Sequence, residues 1–193
     1  MIDRRFEVSF GGSGGQGVVR SSIILVAAAK RQFGDKIYVL QSQSYDAVMR
    51  GLPTSSYVIL SPEWIDYPKV KNPDVLVALD KTAYVDHVND VREDGLAIYE
   101  QDLVKGVDLR SYIAHYPVPA TTLAENAGAG RIAANMVMLG ALSAATRLVD
   151  LGPLREEVIK QLPKHAQKNT KALEAGFEYA KERPRPVVEA ITS

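Results

Sequence analysis

Residues 11–17 read GGSGGQG, and five of the seven are glycine. The stretch lies between an apolar run, FEVSF at 6–10, and the long segment VVRSSIILVAAAKR that starts at Val18. A strand, a glycine loop and a helix in that order are where many α/β proteins hold a phosphate. Glycines let the backbone approach the anion, and the helix that follows points its free N–H groups at it. Gly12-Ser13-Gly14-Gly15-Gln16-Gly17 matches GxGxxG, and no Gly-Lys-Ser/Thr follows, so the loop is not a P-loop. A dinucleotide site asks for an acidic residue about 20 positions on, at the end of the second strand. Here KIYVL (36–40) runs into Gln41-Ser42-Gln43-Ser44, and the nearest carboxylate is Asp46. No Arg stands there for an NADP phosphate either. An anion contact, a plain tight turn and an NAD(P) site all stay open from the residues alone.

Outward from the loop, apolar runs alternate with helical patterns. FEVSF (6–10), KIYVL (36–40), SYVILS (56–61), DVLVALD (74–80), GLAIYE (95–100) and SYIAHYPV (111–118) read as strands, and 15–32 and 81–91 as helices. DVLVALD, apolar between two aspartates, has the look of a strand buried on both faces. The expected fold is α/β: an open, mainly parallel, Rossmann-like sheet flanked by helices, with further helices at the C-terminal end. After Pro119 the chain turns helical, with expected helices at 129–150, 154–162 and 165–183 and a break at Gly152-Pro153. Residues 1–183 are expected to form a single α/β domain, its helical part beginning at about 119, and 184–193 an extended arm.

Composition removes several classes of function. The 193 residues carry 23 basic and 23 acidic side chains and no long basic run, so the electrostatic footprint of nucleic-acid binding is missing. A formal net charge of zero gives little repulsion against association and suits a subunit. With no cysteine, the chain forms no disulfide and supplies no thiolate to an iron–sulfur cluster. The three histidines, His87, His115 and His165, are far apart and show no metal-ligand spacing. MIDRRFEVSF lacks the pattern of a signal peptide, and no apolar stretch is long enough to span a bilayer, so the expected location is the cytoplasm.

Four segments in order resemble the gamma subunit of the 2-oxoacid:ferredoxin (acceptor) oxidoreductases, the pyruvate, ketoisovalerate, 2-oxoglutarate, indolepyruvate and phenylglyoxylate enzymes. They are SFGGSGGQGVVRSSIILVAAAKRQFG, QSQSYDAVMRGLPTSSYVILS, KNPDVLVALDKTAYVDHV and AGRIAANMVMLGAL, followed by a fifth, KNTKALEAGFEYA. Tyr45, Arg50 and Gly51 match a family pattern of a tyrosine or related residue ahead of Arg-Gly-Gly. Asn135 and Gly140, then Asn169, Ala172 and Gly176, match its late helices. The chain departs from the pattern at Leu52 and Pro53, where the family has its second glycine and a small residue. That departure leans the expected substrate slightly toward an aryl or branched 2-oxoacid.

The resemblance implies a non-catalytic subunit of a complex that oxidatively decarboxylates a 2-oxoacid to an acyl-coenzyme A. It implies thiamine diphosphate, Mg2+ and iron–sulfur clusters on partner chains: thiamine-binding alpha and beta subunits and a ferredoxin-like subunit, passing electrons to ferredoxin or NAD. It also implies coenzyme A contact by this chain, with Gly12, Ser13, Gly14, Gly15, Gln16 and Gly17 as the anion loop. Ser42, Gln43 and Tyr45, at the carboxyl end of the second strand, and Arg50 are the other candidate binding residues; Arg20 is read as a solvated helix residue before a ligand contact. No residue is assigned a catalytic role or a metal. Asn135, inside an apolar helix, is read as satisfying a neighbouring backbone group, the NAGAG run (126–130) as a helix-start loop, and Trp64 as an interface or core anchor. The alternatives are a free-standing NAD(P) oxidoreductase, resting on GxGxxG alone, and a ligand-free assembly scaffold.

Overall fold

Among the described residues six strands are present: β1 (Phe6–Ser13), β2 (Tyr38–Gln43), β3 (Pro53–Ser61), β4 (Val75–Ala78), β5 (Leu96–Glu100) and β6 (Ala114–Val118). They form one sheet in the order β2-β3-β1-β4-β5-β6 in this computed structural model, which describes residues 2–44 and 51–183. β1, β4, β5 and β6 pair in parallel, whereas β3 is antiparallel to both β1 and β2. The expected mainly parallel α/β sheet is therefore found, with one difference of connectivity. Only nine residues, 44–52, link β2 to β3, so β3 is the return arm of a hairpin and wedges between β2 and β1. Antiparallel neighbours need only a short turn, whereas a parallel neighbour needs a crossover of a dozen residues or more.

Helix α1 (Val18–Phe33) covers β2 and β3 on one face, and α2 (Lys81–His87) lies against β1 and β4. α1 buries Ile24, Leu25, Ala28 and Ala29, a stripe at helical spacing, and ends at Gly34, whose N–H closes the last turn on the Lys30 carbonyl and whose φ of 60° turns the chain out of the helix. β4 is buried throughout, as its unbroken apolar run implies. Its consecutive residues face two cores. Val75 and Val77 join the large one, and Leu76 and Ala78 join a smaller one around Tyr84, Tyr99 and Ile113.

The C-terminal part adds α3 (Ala120–Asn126), α4 (Ala134–Thr146), α5 (Leu151–Gln161) and α6 (Ala166–Lys181). α3 is an addition to the expected elements. α4 is shorter than the expected 129–150, because 131–133 form a 3-10 turn and Arg147 leaves the helix at a φ of 54°. Gly152-Pro153 does not interrupt a helix but lies in the first turn of α5, where the amide that proline lacks has no intrahelical acceptor to lose. α4 is buried on nearly every side and crosses α6 through Gly140 and Gly176. A Cβ on Gly140 would collide with the Leu173 carbonyl, and one on Gly176 with the Val137 carbonyl. The core containing Phe6, Val8 and Ile98 of the sheet continues without a break into Met136, Leu139 and Leu173 of these helices. The expected arm 184–193 lies outside the described residues. Among the described residues no helix is long and apolar enough to cross a membrane.

Candidate functional site

The glycine loop starts inside the sheet. β1 continues through Gly11 and Gly12 to Ser13, which lies opposite Pro53 of β3. The ladder then runs one step further: the Gly14 N–H donates to the Leu52 carbonyl at 2.8 Å, and the Gly51 N–H donates to the Gly14 carbonyl at 3.2 Å. Leu52 therefore meets the loop through a carbonyl that any residue carries. The loop also closes on itself. The Ser13 N–H donates to Gln16 Oε1 at 2.6 Å, and the Gln16 N–H donates back to the Ser13 carbonyl at 3.0 Å. The Ser13 hydroxyl donates to Asp80 Oδ2 at 2.7 Å, while Oδ1 of the same carboxylate caps α2 by accepting from the Ala83 N–H at 2.9 Å. Asp80 so joins the end of β1 to the start of α2.

Two glycines show why the loop needs them. Gly17 caps α1 in the left-handed region at a φ of 80°, and a Cβ there would run into the Asn135 amide. Asn135 Nδ2 donates to the Gly17 carbonyl at 3.3 Å and to Ser21 Oγ at 3.2 Å. Its task is the backbone one its buried position in α4 called for. Gly15 has a φ of 102°, is exposed, and has no atom within 4 Å of where its Cβ would stand. It is the open, side-chain-free crest of the loop.

A cleft lies on each side of that crest. The first, of about 230 Å³, sits at the carboxyl ends of β4 and β5 and is lined by Gln16, Leu79, Glu100, Leu103, Thr121 and Arg131. The sheet order reverses direction between β1 and β4, and such a switch point is where open α/β sheets bind ligands. Glu100 is 1% exposed, and its oxygens are held by the N–H of Asp102 at 3.1 Å and by the N–H and hydroxyl of Thr121 at 2.8 and 3.0 Å. The second cleft, of about 390 Å³, lies between the starts of α1, α4 and α6 and is lined by Gly17, Arg20, Asn135, His165, Lys168 and Asn169. Gly15 and Ile132 border both. Ile132 is 82% exposed, an apolar side chain standing free between the two.

Gly15, Gln16 and Gly17 thus face clefts, while Gly12 and Ser13 build the loop from behind. The Gln16 side chain commits its oxygen end to Ser13, and its Nε2 end has no partner among the described residues. Ser42 and Gln43 sit on β2, separated from β1 by the whole of β3, and line neither cleft. Their neighbourhood is the hairpin, where the Ser42 carbonyl accepts from Ser56 Oγ at 2.9 Å. Tyr45 and Arg50 lie outside the described residues. The residue after Arg50, Gly51, is paired to the loop. Arg20, read as a solvated helix residue, lines the second cleft. Glu100, Thr121, Arg131, Ile132 and Lys168 were not singled out from sequence. For His165, Lys168 and Asn169 a signal existed: spacings of three and four residues put them on one side of a helix start.

Two other histidines make polar clusters away from these clefts. His87 Nε2 is 2.8 Å from Ser55 Oγ, but its Nδ1 is 3.7 Å from Asp90 Oδ2, and the serine is 7% exposed. The contact ties β3 to α2. His115 faces the Arg110 carbonyl at 2.9 Å with Nε2 and the Tyr84 hydroxyl at 3.2 Å with Nδ1. Burial, reinforced by the neighbouring Tyr99, pushes the Tyr84 phenol up to about 12, so it stays a neutral hydrogen-bond donor. Trp64 is not a core residue: it is 71% exposed and meets the Tyr38 ring edge-on at 5.4 Å.

Residues 7–179 match the family model described as pyruvate ferredoxin/flavodoxin oxidoreductase. A 2-oxoglutarate synthase subunit KorC from Methanothermobacter thermautotrophicus is 36% identical over 96% of this chain and 100% of its own length. A pyruvate synthase subunit PorC from Methanothermobacter marburgensis is 32% identical over 91% of this chain and 97% of its own. Among solved structures, the gamma subunit of a keto/oxoacid ferredoxin oxidoreductase from Geobacter sulfurreducens superimposes with a TM-score of 0.78 at 31% identity, covering 91% of this chain and 98% of that one. The 2-oxoglutarate:ferredoxin oxidoreductase of Magnetococcus marinus, whose structure carries 2-oxoglutarate, coenzyme A and succinyl-CoA, shares the fold with a TM-score of 0.83 at 21% identity, over 95% of this chain and 32% of that one. The chain belongs to the pyruvate ferredoxin/flavodoxin oxidoreductase family and is of its gamma-subunit type.

Proposed function

We propose that this chain serves a thiamine diphosphate-dependent 2-oxoacid:ferredoxin oxidoreductase by lining its coenzyme A site, while thiamine-binding alpha and beta subunits and an iron–sulfur subunit supply the redox chemistry. Coenzyme A, when bound, supplies the thiol that accepts the acyl group. The observation that carries the reading is the glycine loop itself. Its crest at Gly15 is bare, exposed and bordered by two clefts, with cationic side chains on both rims. The residues suit a long, phosphate-bearing cosubstrate. Backbone can approach closely at Gly15, and α1 begins directly behind it. This chain's part is to bind and orient; the complete lack of cysteine leaves it no thiolate with which to hold an iron–sulfur cluster.

The NAD(P) alternative loses ground from the topology. β3 separates β2 from β1, so the end of the second strand is not beside the glycine loop, where a ribose-binding acid would have to stand. On substrate, the relatives above are named for 2-oxoglutarate and pyruvate, and a ketoisovalerate oxidoreductase subunit VorA is 32% identical. Leu52-Pro53 suggested an aryl or branched 2-oxoacid; those names support 2-oxoglutarate, pyruvate or the branched ketoisovalerate over an aryl compound.

Gly15→Ala tests the reading in the assembled enzyme. It places a methyl group on the crest and strains a backbone held at a φ of 102°, a cost of about 1–3 kcal/mol. The KM for coenzyme A is expected to rise about tenfold with the KM for the 2-oxoacid unchanged. An unchanged coenzyme A KM in an intact complex would reduce the loop to a turn.

A further inference from the structure

The two clefts beside Gly15 differ in charge, and the difference gives the bound cosubstrate a direction. The second cleft is lined by Arg20, His165 and Lys168 and by no carboxylate. Arg20 and Lys168 are exposed, and neither makes an ion pair among the described residues. Its floor is the Gly17–Asn135 contact, and the opening turns of α1 and α6 both reach it. The first cleft is balanced: buried Glu100 faces it, and its cation, Arg131, lies 3.8 Å from Glu125. Both clefts have apolar wall, from Leu79, Leu103 and Ile132 in the first and from Ile132, Met136 and Leu162 in the second, so charge is what separates them. A phosphate ester placed beside Glu100 would meet a carboxylate in a poorly solvated setting, whereas an uncharged amide arm would not.

Resting on the coenzyme A reading above, we infer that the α1–α4–α6 cleft seats the phosphorylated nucleotide end of the cosubstrate, with Lys168 and Arg20 as its binding cations, and that the uncharged thiol-bearing arm crosses Gly15 into the Glu100 cleft. Each cation adds a charge-assisted contact to phosphate oxygens. Arginine can take Lys168's place as a charge, though not as an identical fork of donors. Ile132, bordering both clefts, covers the arm where it crosses.

The test is equilibrium binding of coenzyme A and of pantetheine, the same arm without phosphates, to the intact complex by calorimetry. Lys168→Ala is expected to weaken coenzyme A about tenfold and to leave pantetheine unchanged, and Lys168→Arg is expected to restore most of the loss. Lys168 is exposed, so the substitution does not threaten the fold. Gly15→Ala is measured alongside and is expected to weaken both ligands. If Gly15→Ala weakens coenzyme A but Lys168→Ala does not, or if Lys168→Ala weakens pantetheine equally, the direction is wrong while the coenzyme A site stands. If neither substitution changes binding, both the direction and the site fail.

Discussion

Asn135 shows how a single side chain sets the shape of the loop. Its amide holds the carbonyl of Gly17 and the hydroxyl of Ser21, and it fills the space that a side chain at position 17 would need. Asn135→Leu keeps the volume and removes the donor, leaving the Gly17 carbonyl only the Ser21 N–H and hydroxyl, which donate to it at 2.9 and 3.2 Å. The expected cost is about 0.5–1.5 kcal/mol, read as a lowered midpoint in urea unfolding of the purified chain with an unchanged slope. An unchanged midpoint would mean that water replaces the amide. At this scale the sequence was partly legible. A buried amide in an apolar helix must find a partner, and that expectation held. Which partner it finds was not legible, because Gly17 is 118 positions away.

The elements that sequence reading missed are those stabilised from a distance. α3 has only seven residues and no side-chain cap of its own; its first-turn amide at Thr121 is held by Glu100 from the end of β5. Nothing local announces such a cap. SYVILS was legible as a strand, but its direction was not, since that follows from how few residues link it to β2. Gly140 and Gly176 were visible as residues, and their reason, two helix backbones meeting without side chains between, appears only in three dimensions. The α1–α5 contact carries a pH signature. Arg31 bonds Glu157 Oε1 through Nη2 at 2.6 Å and Nε at 3.0 Å. Burial raises the Glu157 carboxyl, but its bonds from Arg31 and Gln161 and the nearby Lys160 outweigh that, and the net shift is below the ordinary 4.5. A depressed acid stabilises the fold above its unfolded value and loses that contribution as pH falls through the folded one. Glu157→Gln is therefore expected to melt below the native chain at pH 7, with the gap narrowing as pH drops past 4.5. A gap independent of pH would assign the loss to packing.

Across the whole molecule, the sheet carries the glycine loop and the C-terminal helices close its far side, so the candidate site belongs to neither part alone. This is why the sequence yielded only half of it. The loop is contiguous and was legible from its glycines. The cleft walls come from β5, α3, α4 and α6, which share no motif and are joined only by the common core. Ser42 and Gln43 were chosen by the rule that ligands bind at strand ends, and the hairpin moves that end away from the loop. The central claim is that coenzyme A rests on this chain, and hydrogen–deuterium exchange of the intact complex with and without saturating coenzyme A tests it most directly. The account predicts slowed exchange concentrated, within this chain, in the stretches that line the two clefts: 11–20, 100–103, 119–123, 129–136 and 162–169. Equal exchange in those stretches with and without the ligand, while partner chains become protected, would contradict it.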